Sequence, residues 1–326
     1  MIRLARHDMG DVRAGAEHGG NGVIKAEGNQ AQVRDLTGYG LVAASFLIIG
    51  LSGTLVSWAD APGSVLLALR FAVAALVLAA VFARRRPLAG VLSHDLWPSL
   101  LLMGLLDSGT LLAYFFAIRT TGVAVATFLL FLQPVWVALL APRLLKTPTE
   151  RVVYVSLGVA VAGLISILAP SLLGAHLAAI GLAVGLTSGL CYAFFQLLVK
   201  GLTKKVPSTT IVLCECCLDT VFILPLALWQ ARGIQLGPRD VVAALVLGVV
   251  CTAIAYTIWM EGVARIRVQH SSILGFLTPV VAPLFAWLLL GQTFTVATAV
   301  GGSLIVLAGV LVAVFGREES ESETPL

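Results

Sequence analysis

Phe131-Leu132-Gln133-Pro134-Val135 and Phe276-Leu277-Thr278-Pro279-Val280 are two versions of one sentence, and each is preceded by an apolar stretch carrying an Ala-Tyr pair, Ala113-Tyr114 in the first and Ala255-Tyr256 in the second. In both copies a tyrosine-bearing apolar segment, a short basic turn and a second apolar segment interrupted by proline follow one another in the same order. Proline removes a backbone donor and clashes with the carbonyl one turn earlier, so it bends or breaks a helix. The chain therefore contains an internal repeat with a helix breaker at matching places in its two halves.

The composition places that repeat in a membrane. Of the 326 residues, 59% are hydrophobic and only 12% charged, with a mean hydropathy of +0.98, well outside the range of soluble domains. The apolar runs are long enough to cross a bilayer as helices, which needs roughly 20 residues. Ten spans are predicted, at 38–58, 65–83, 97–118, 123–142, 152–170, 177–199, 209–229, 241–261, 269–291 and 294–315. Open sheets are excluded because lipid cannot satisfy their unpaired backbone groups, and the short alternating segments of a barrel are missing. The fold class is an all-α integral membrane protein.

Charge placement sets the expected orientation. With the N-terminus in the cytoplasm, the inner loops hold Arg84, Arg85, Arg86, Arg143, Lys146, Arg151, Lys200, Lys204, Lys205, Arg265 and Arg267, and the outer loops only Arg119, Arg232 and Arg239. Basic residues accumulate on the cytoplasmic side, so both termini are expected there, in the cytoplasmic membrane. Scattered over short loops, these charges do not form a nucleic-acid surface. Residues 1–36 lack the apolar core of a secretory signal and read as a disordered cytoplasmic tail, with Met9 an alternative start. Residues 317–326 form an acidic, solvated tail with Glu318, Glu319, Glu321 and Glu323. The five cysteines all fall in spans; Cys214, Cys216 and Cys217 lack histidine or carboxylate partners for zinc, and no metal or cofactor is expected.

Residues 38–170 then form a first set of five spans and residues 177–316 a second. An odd number of spans per set makes the second copy enter from the opposite side, which gives two inverted five-helix repeats. Gly181, Gly185 and Gly189, at four-residue spacing, let a neighbouring helix approach closely. That neighbour can be internal, or a second copy in a homodimer.

These blocks resemble the two EamA domains of the drug/metabolite transporter superfamily. The likeness covers nearly all of the membrane portion: Leu69-Arg70-Phe71, the two F-L-x-P-V runs, Leu288-Leu289-Leu290-Gly291, and Gly301-Gly302 with Leu307-Ala308-Gly309. The resemblance implies ten helices in two inverted repeats around a central cavity, and a secondary transporter for amino acids, other metabolites, nucleobases or drugs. This chain departs from the family pattern at Gln292, where a glutamate is common, and at Ala141-Pro142-Arg143, which keeps little of it. Span 1 also lacks the embedded acid that the superfamily's small multidrug exporters use for proton exchange.

Ionisable groups inside a bilayer are costly and need a reason. Asp107 lies mid-span beside Ser108 and Thr110; a desolvated carboxyl there can carry a proton, or can be capped by its neighbours and packed. Arg70, Glu215 and Asp219 lie on spans 2 and 7, counterparts in the repeat, and suit a structural charge network or, alternatively, a substrate-binding or proton-carrying role. Pro134 and Pro279 are the helix breaks. Tyr114, Gln133, Tyr192, Gln196, Tyr256, Trp259 and Thr278 are the expected lining of the cavity. The sequence has no phosphate-binding G-x-x-x-x-G-K-[ST] loop, and its histidines are dispersed, so neither an ATP-driven pump nor an enzyme is expected. The expected partners are a small-molecule substrate and the lipid bilayer. The other class in view is a non-transporting sensor or scaffold that uses the acidic tail.

Overall fold

The structure is a computed structural model; it describes residues 17–85, 94–172, 178–291 and 295–316. The tail 317–326, the loop 173–177 and Gln292 lie outside the described residues, as do residues 1–16 of the N-terminal tail.

Among the described residues ten segments are long and apolar enough to cross a membrane, and their bounds follow the expected spans within a few residues. They are built from thirteen helices: α1 (Glu17–Trp58), α2 (Gly63–Arg85), α3 (Trp97–Thr121), α4 (Val123–Leu130), α5 (Gln133–Leu144), α6 (Arg151–Leu172), α7 (Ala179–Leu202), α8 (Ser208–Gln230), α9 (Pro238–Gly248), α10 (Ala255–Arg265), α11 (Val268–Leu274), α12 (Leu277–Leu290) and α13 (Val296–Phe315). Among the described residues every regular element is helical, as lipid requires. The helix α1 is described from Glu17, so its first part precedes the membrane-length segment Leu36–Trp58.

Spans 4, 8 and 9 are composite. Span 4 breaks at Phe131-Leu132, and Pro134 stands in the first turn of α5, where its missing N–H is one the helix leaves unpaired anyway. Span 9 breaks at Gly275-Phe276, with Pro279 in the first turn of α12. The prolines thus open the second piece of each broken span instead of kinking its interior. Span 8 contains a π-helical stretch, Val249–Ile254, between α9 and α10, and there Thr252 Oγ1 donates to the carbonyl of Leu247 five residues back, 2.8 Å away. Between α3 and α4 the chain turns at Gly122, whose φ of 86° is one that glycine adopts without strain.

The inverted repeat is visible in what packs on what. The α1 helix lies against α10 and α12, as α7 lies against α3 and the α4/α5 pair; α2 crosses α8, and α6 runs along α13. Exchanging the two halves maps each of these contacts onto another in the set. Small residues make the seams: a Cβ added to Gly163 in α6 would sit 2.6 Å from the carbonyl oxygen of Gly301 in α13. The glycine row of α7 faces inward too. A Cβ on Gly181 would meet Thr120 Oγ1 at 2.3 Å, and one on Gly189 would meet the carbonyl of Leu129 at 2.6 Å, beside the first helix break.

Candidate functional site

Two glycines decide where the polar residues meet. Gly104 of α3 lies against Leu218 of α8 so closely that an added Cβ would stand 2.6 Å from the Leu218 Cβ. Gly248 of α9 makes the same approach to Val73 of α2, again at 2.6 Å. These crossings are counterparts under the repeat. Leu218 is three residues beyond Glu215, and Val73 is three beyond Arg70, so Arg70 and Glu215 occupy equivalent places in the two halves. One helical turn past the glycines, Asp107 corresponds to Cys251.

The first crossing gathers three acids. Oxygen atoms of Asp107, Glu215 and Asp219 all lie within 4.8 Å of one another, and Ser108 Oγ donates to Asp219 Oδ1 at 2.7 Å. Glu215 and Asp219 are fully buried, and Asp107 is 5% exposed. At the second crossing Arg70, 8% exposed, donates from a terminal nitrogen to Tyr256 Oη at 2.7 Å, with its guanidinium carbon 4.7 Å from the centre of the Phe71 ring. The ion pairs found among the described residues do not include one between Arg70 and Glu215 or Asp219. The network expected from these residues takes another form: acids cluster on one side and the arginine is held by an aromatic pair on the other.

Much of this polarity lacks protein partners. Both carboxyl oxygens of Glu215, one each of Asp107 and Asp219, Arg70 Nε, both amide atoms of Gln196 and Gln133 Oε1 are buried without a hydrogen bond. Leaving one such group unpaired costs on the order of 1–3 kcal/mol, and ordinary cores avoid it. Three carboxyl groups against one guanidinium also require protons or a cation for neutrality. The carboxyl oxygens suit protons or a hard cation, and lack the nitrogen and sulfur donors of a zinc site.

Aromatic rings surround this region. Trp259 stacks on Phe195 with centroids 6.0 Å apart, Phe195 on Tyr192 at 5.8 Å, and Phe46 meets Trp259 edge-on at 6.3 Å. Trp259 Nε1 donates to Ser271 Oγ at 3.2 Å. The two breaks touch: Phe131 and Phe276, the same residue of each copy, have ring centroids 6.1 Å apart. Gln133 Nε2 reaches the carbonyl of Ser272 in the other half, at 3.5 Å. Of the residues expected to line the cavity, Gln133, Tyr192, Tyr256 and Trp259 therefore sit at or beside contacts between the halves. Gln196 is buried one turn beyond Tyr192 on α7. Tyr114 instead stays within its own half, hydrogen-bonded to Thr127 at 2.9 Å, and Thr278 is half-buried at the start of α12.

A second polar group, not anticipated from the sequence, ties the halves together where the α5–α6 loop meets the start of α11. Arg267 donates to Glu150 Oε1 at 2.9 Å and to the carbonyl of Pro148 at 3.2 Å. Gln269 Nε2 donates to the carbonyl and hydroxyl of Thr147, both at 3.3 Å. His270 Nδ1 is hydrogen-bonded to the hydroxyl of Tyr39, and its Nε2 lies 4.0 Å from Glu150. Lys200, 2% exposed, donates to the carbonyls of Val263 and Ile266 at 2.9 and 2.8 Å, satisfying acceptors that the end of α10 leaves free. The signal was present in the sequence as Arg267-Val268-Gln269-His270-Ser271-Ser272, a polar run at the head of an apolar span.

Comparison with known proteins agrees with this architecture. The model of the EamA-like transporter family matches residues 36–169 and again 179–315, one match per repeat. An "Uncharacterized transporter" of Archaeoglobus fulgidus is 34% identical over 205 residues, 63% of this chain and 72% of that protein. The "Probable terminal-alkyne amino-acid exporter" of Streptantibioticus cattleyicolor is 36% identical over 110 residues, 32% of this chain and 36% of its own. A solved crystal structure covers 89% of this chain and 99% of its own, with a TM-score of 0.73 at 19% identity, and so shares the fold. With both repeats matched and ten membrane-length segments in place, the chain is a multi-pass membrane protein that belongs to the EamA-like transporter family.

Proposed function

We propose that the protein is a secondary transporter that exports a small, amino acid-like organic solute across the cytoplasmic membrane by alternating access. The observation that carries this reading is the buried, incompletely paired cluster at the crossings between the repeats: Arg70 on one side, and Asp107, Glu215 and Asp219 on the other. A zwitterion presents a carboxylate and an ammonium. The first complements a guanidinium and the second a group of carboxyls, while Tyr192, Tyr256 and Trp259 offer surface to the rest of the solute. The name of the Streptantibioticus relative supports the choice of an amino acid-like cargo and of export.

Asp107 is the proposed proton carrier. It stands on α3, one turn past the glycine crossing, where motion of one repeat against the other changes which side can exchange a proton with it. The termini are expected in the cytoplasm, on the strength of the basic loops, which puts the Arg267–Glu150 latch on the cytoplasmic side. On this reading the latch holds the two halves together on that side, and opening towards the cytoplasm requires its bonds to part.

An efflux and toxicity screen of amino acids and related metabolites, in cells expressing the protein, tests the reading. Export of at least one zwitterionic solute is expected, reduced by Tyr256→Ala and independent of residues 317–326. A flat profile across the panel, with loss of a binding partner on deleting that tail, would point to a scaffold instead.

A further inference from the structure

A groove of about 460 Å³, separate from the polar cluster, runs up the outside of the molecule between α3, α5 and α7. Its size is that of a ligand cavity, commonly about 300–1,000 Å³. Along α3 and the residue that caps it, the lining extends from Leu96 to Leu106, a rise of roughly 15 Å at 1.5 Å per residue. That is about half of the roughly 30 Å hydrocarbon thickness, the depth of one lipid leaflet.

The groove is polar at one end only. Ser99 and Lys205 stand where α3 begins and just beyond the end of α7, whereas Phe194 and Leu106 form the deep end. Leu144 and Leu145 line the mouth and are flanked in sequence by Arg143 and Lys146; Lys204 precedes Lys205. Against these bases stands Asp95, exposed and next to the lining residue Leu96. The mouth is therefore net basic and the shaft apolar, which fits an acyl chain carrying an anionic headgroup.

We infer that this groove is a binding site for one anionic phospholipid, with its acyl chain between α3 and α7 and its phosphate at Lys205. The location gives the lipid a consequence. Helices α3 and α5 belong to the first repeat and α7 to the second, so the lipid bridges the halves, and its deep end at Leu106 adjoins Asp107. A ligand seated across two moving bodies favours the arrangement in which its site is intact. The inference rests on the fold and on the groove, and does not require the proposed cargo.

Native mass spectrometry of the detergent-solubilised full-length protein tests it, with phosphatidylglycerol and phosphatidylcholine of identical acyl chains as probes. One equivalent of phosphatidylglycerol is expected to bind about fivefold or more tightly than phosphatidylcholine, in line with one basic residue at an anionic headgroup. Lys205→Glu should remove that preference. Gly201→Trp should remove binding of both lipids by filling the groove: Gly201 lines it, and an added Cβ there meets nothing within 4 Å. Gly201→Leu serves as a smaller filler, and thermal melting of both variants confirms folding. Equal binding of the two lipids, unchanged binding in folded groove-filled variants, or binding of glycerol phosphate as tight as that of the lipid would overturn the inference.

Discussion

The crossings of α3 with α8 and of α9 with α2 share a geometry and differ in chemistry. In each a glycine lets two helices from opposite halves approach to the same distance, 2.6 Å from an added Cβ to the nearest side-chain atom. One crossing then presents three acids, and the other an arginine held by Tyr256 and Phe71. Duplication supplied a symmetric frame, and substitution within it separated charge across the axis. The tyrosines of the two repeats also differ: Tyr256 accepts from Arg70 of the other half, while Tyr114 turns to Thr127 inside its own half. Under the proposed function, the frame would supply alternating access with two equivalent halves, and the chemistry with a polar site between them.

Exchanging the charges strains this comparison most. Arg70→Glu and Glu215→Arg should each lower efflux by at least about tenfold, because each puts an uncompensated charge among buried groups. The double exchange should recover a substantial part, since the two places are equivalent. Efflux assays on the three variants decide it; failure of the double exchange would mean that the crossings are equivalent in backbone only.

The glycines come next. Gly248→Ala is expected to destabilise the protein by about 1–3 kcal/mol through overpacking, and Gly104→Ala by less. At Gly248 the added carbon also meets the carbonyl oxygen of Arg70 at 2.8 Å, whereas at Gly104 the nearest atoms all belong to the Leu218 side chain. Thermal unfolding in detergent should rank the two in that order.

Asp107→Asn should leave the protein folded and abolish the response of vesicle efflux to a pH gradient. Cys251→Ala, at the matching place in the other half, should leave that response intact. The smallest difference concerns the tyrosines. Tyr256→Phe removes an acceptor from a buried guanidinium, a loss of about 1.5–3 kcal/mol in the hydrogen bond, and Tyr114→Phe removes a neutral bond of about 1 kcal/mol. Melting temperatures should fall more for the first.

Most of the fold was legible because bilayer thickness fixes the length of a span and lipid admits only helices or closed barrels, whose short alternating segments this chain lacks. The third predicted span, 97–118, became Trp97–Thr121, and the ninth, 269–291, became Val268–Leu290. The breaks were legible because proline and the repeated F-L-x-P run mark them. The crossings were not. In water an apolar stripe shows which face of a helix is buried, but in lipid the outward face is apolar too, so the pattern around Asp107 or Glu215 does not say what either one faces. The latch was hidden for a related reason. Arg267 and Lys200 counted as loop charges in a tally of topology, and only folding shows that both are buried, Arg267 against acceptors of the opposite half and Lys200 against those at the end of α10. The π stretch before Tyr256 leaves no mark in composition.

Accessibility of residue 133 from the two sides of the membrane tests alternating access most directly. In a variant without the five native cysteines, Gln133→Cys would be probed with a membrane-impermeant thiol reagent applied to right-side-out and inside-out vesicles. Labelling is expected from both sides, and Arg267→Ala, by loosening the Glu150 latch, should raise labelling several-fold from the latch side at the expense of the other. Labelling from one side only, unchanged by Arg267→Ala, would contradict a site that the two halves expose in turn.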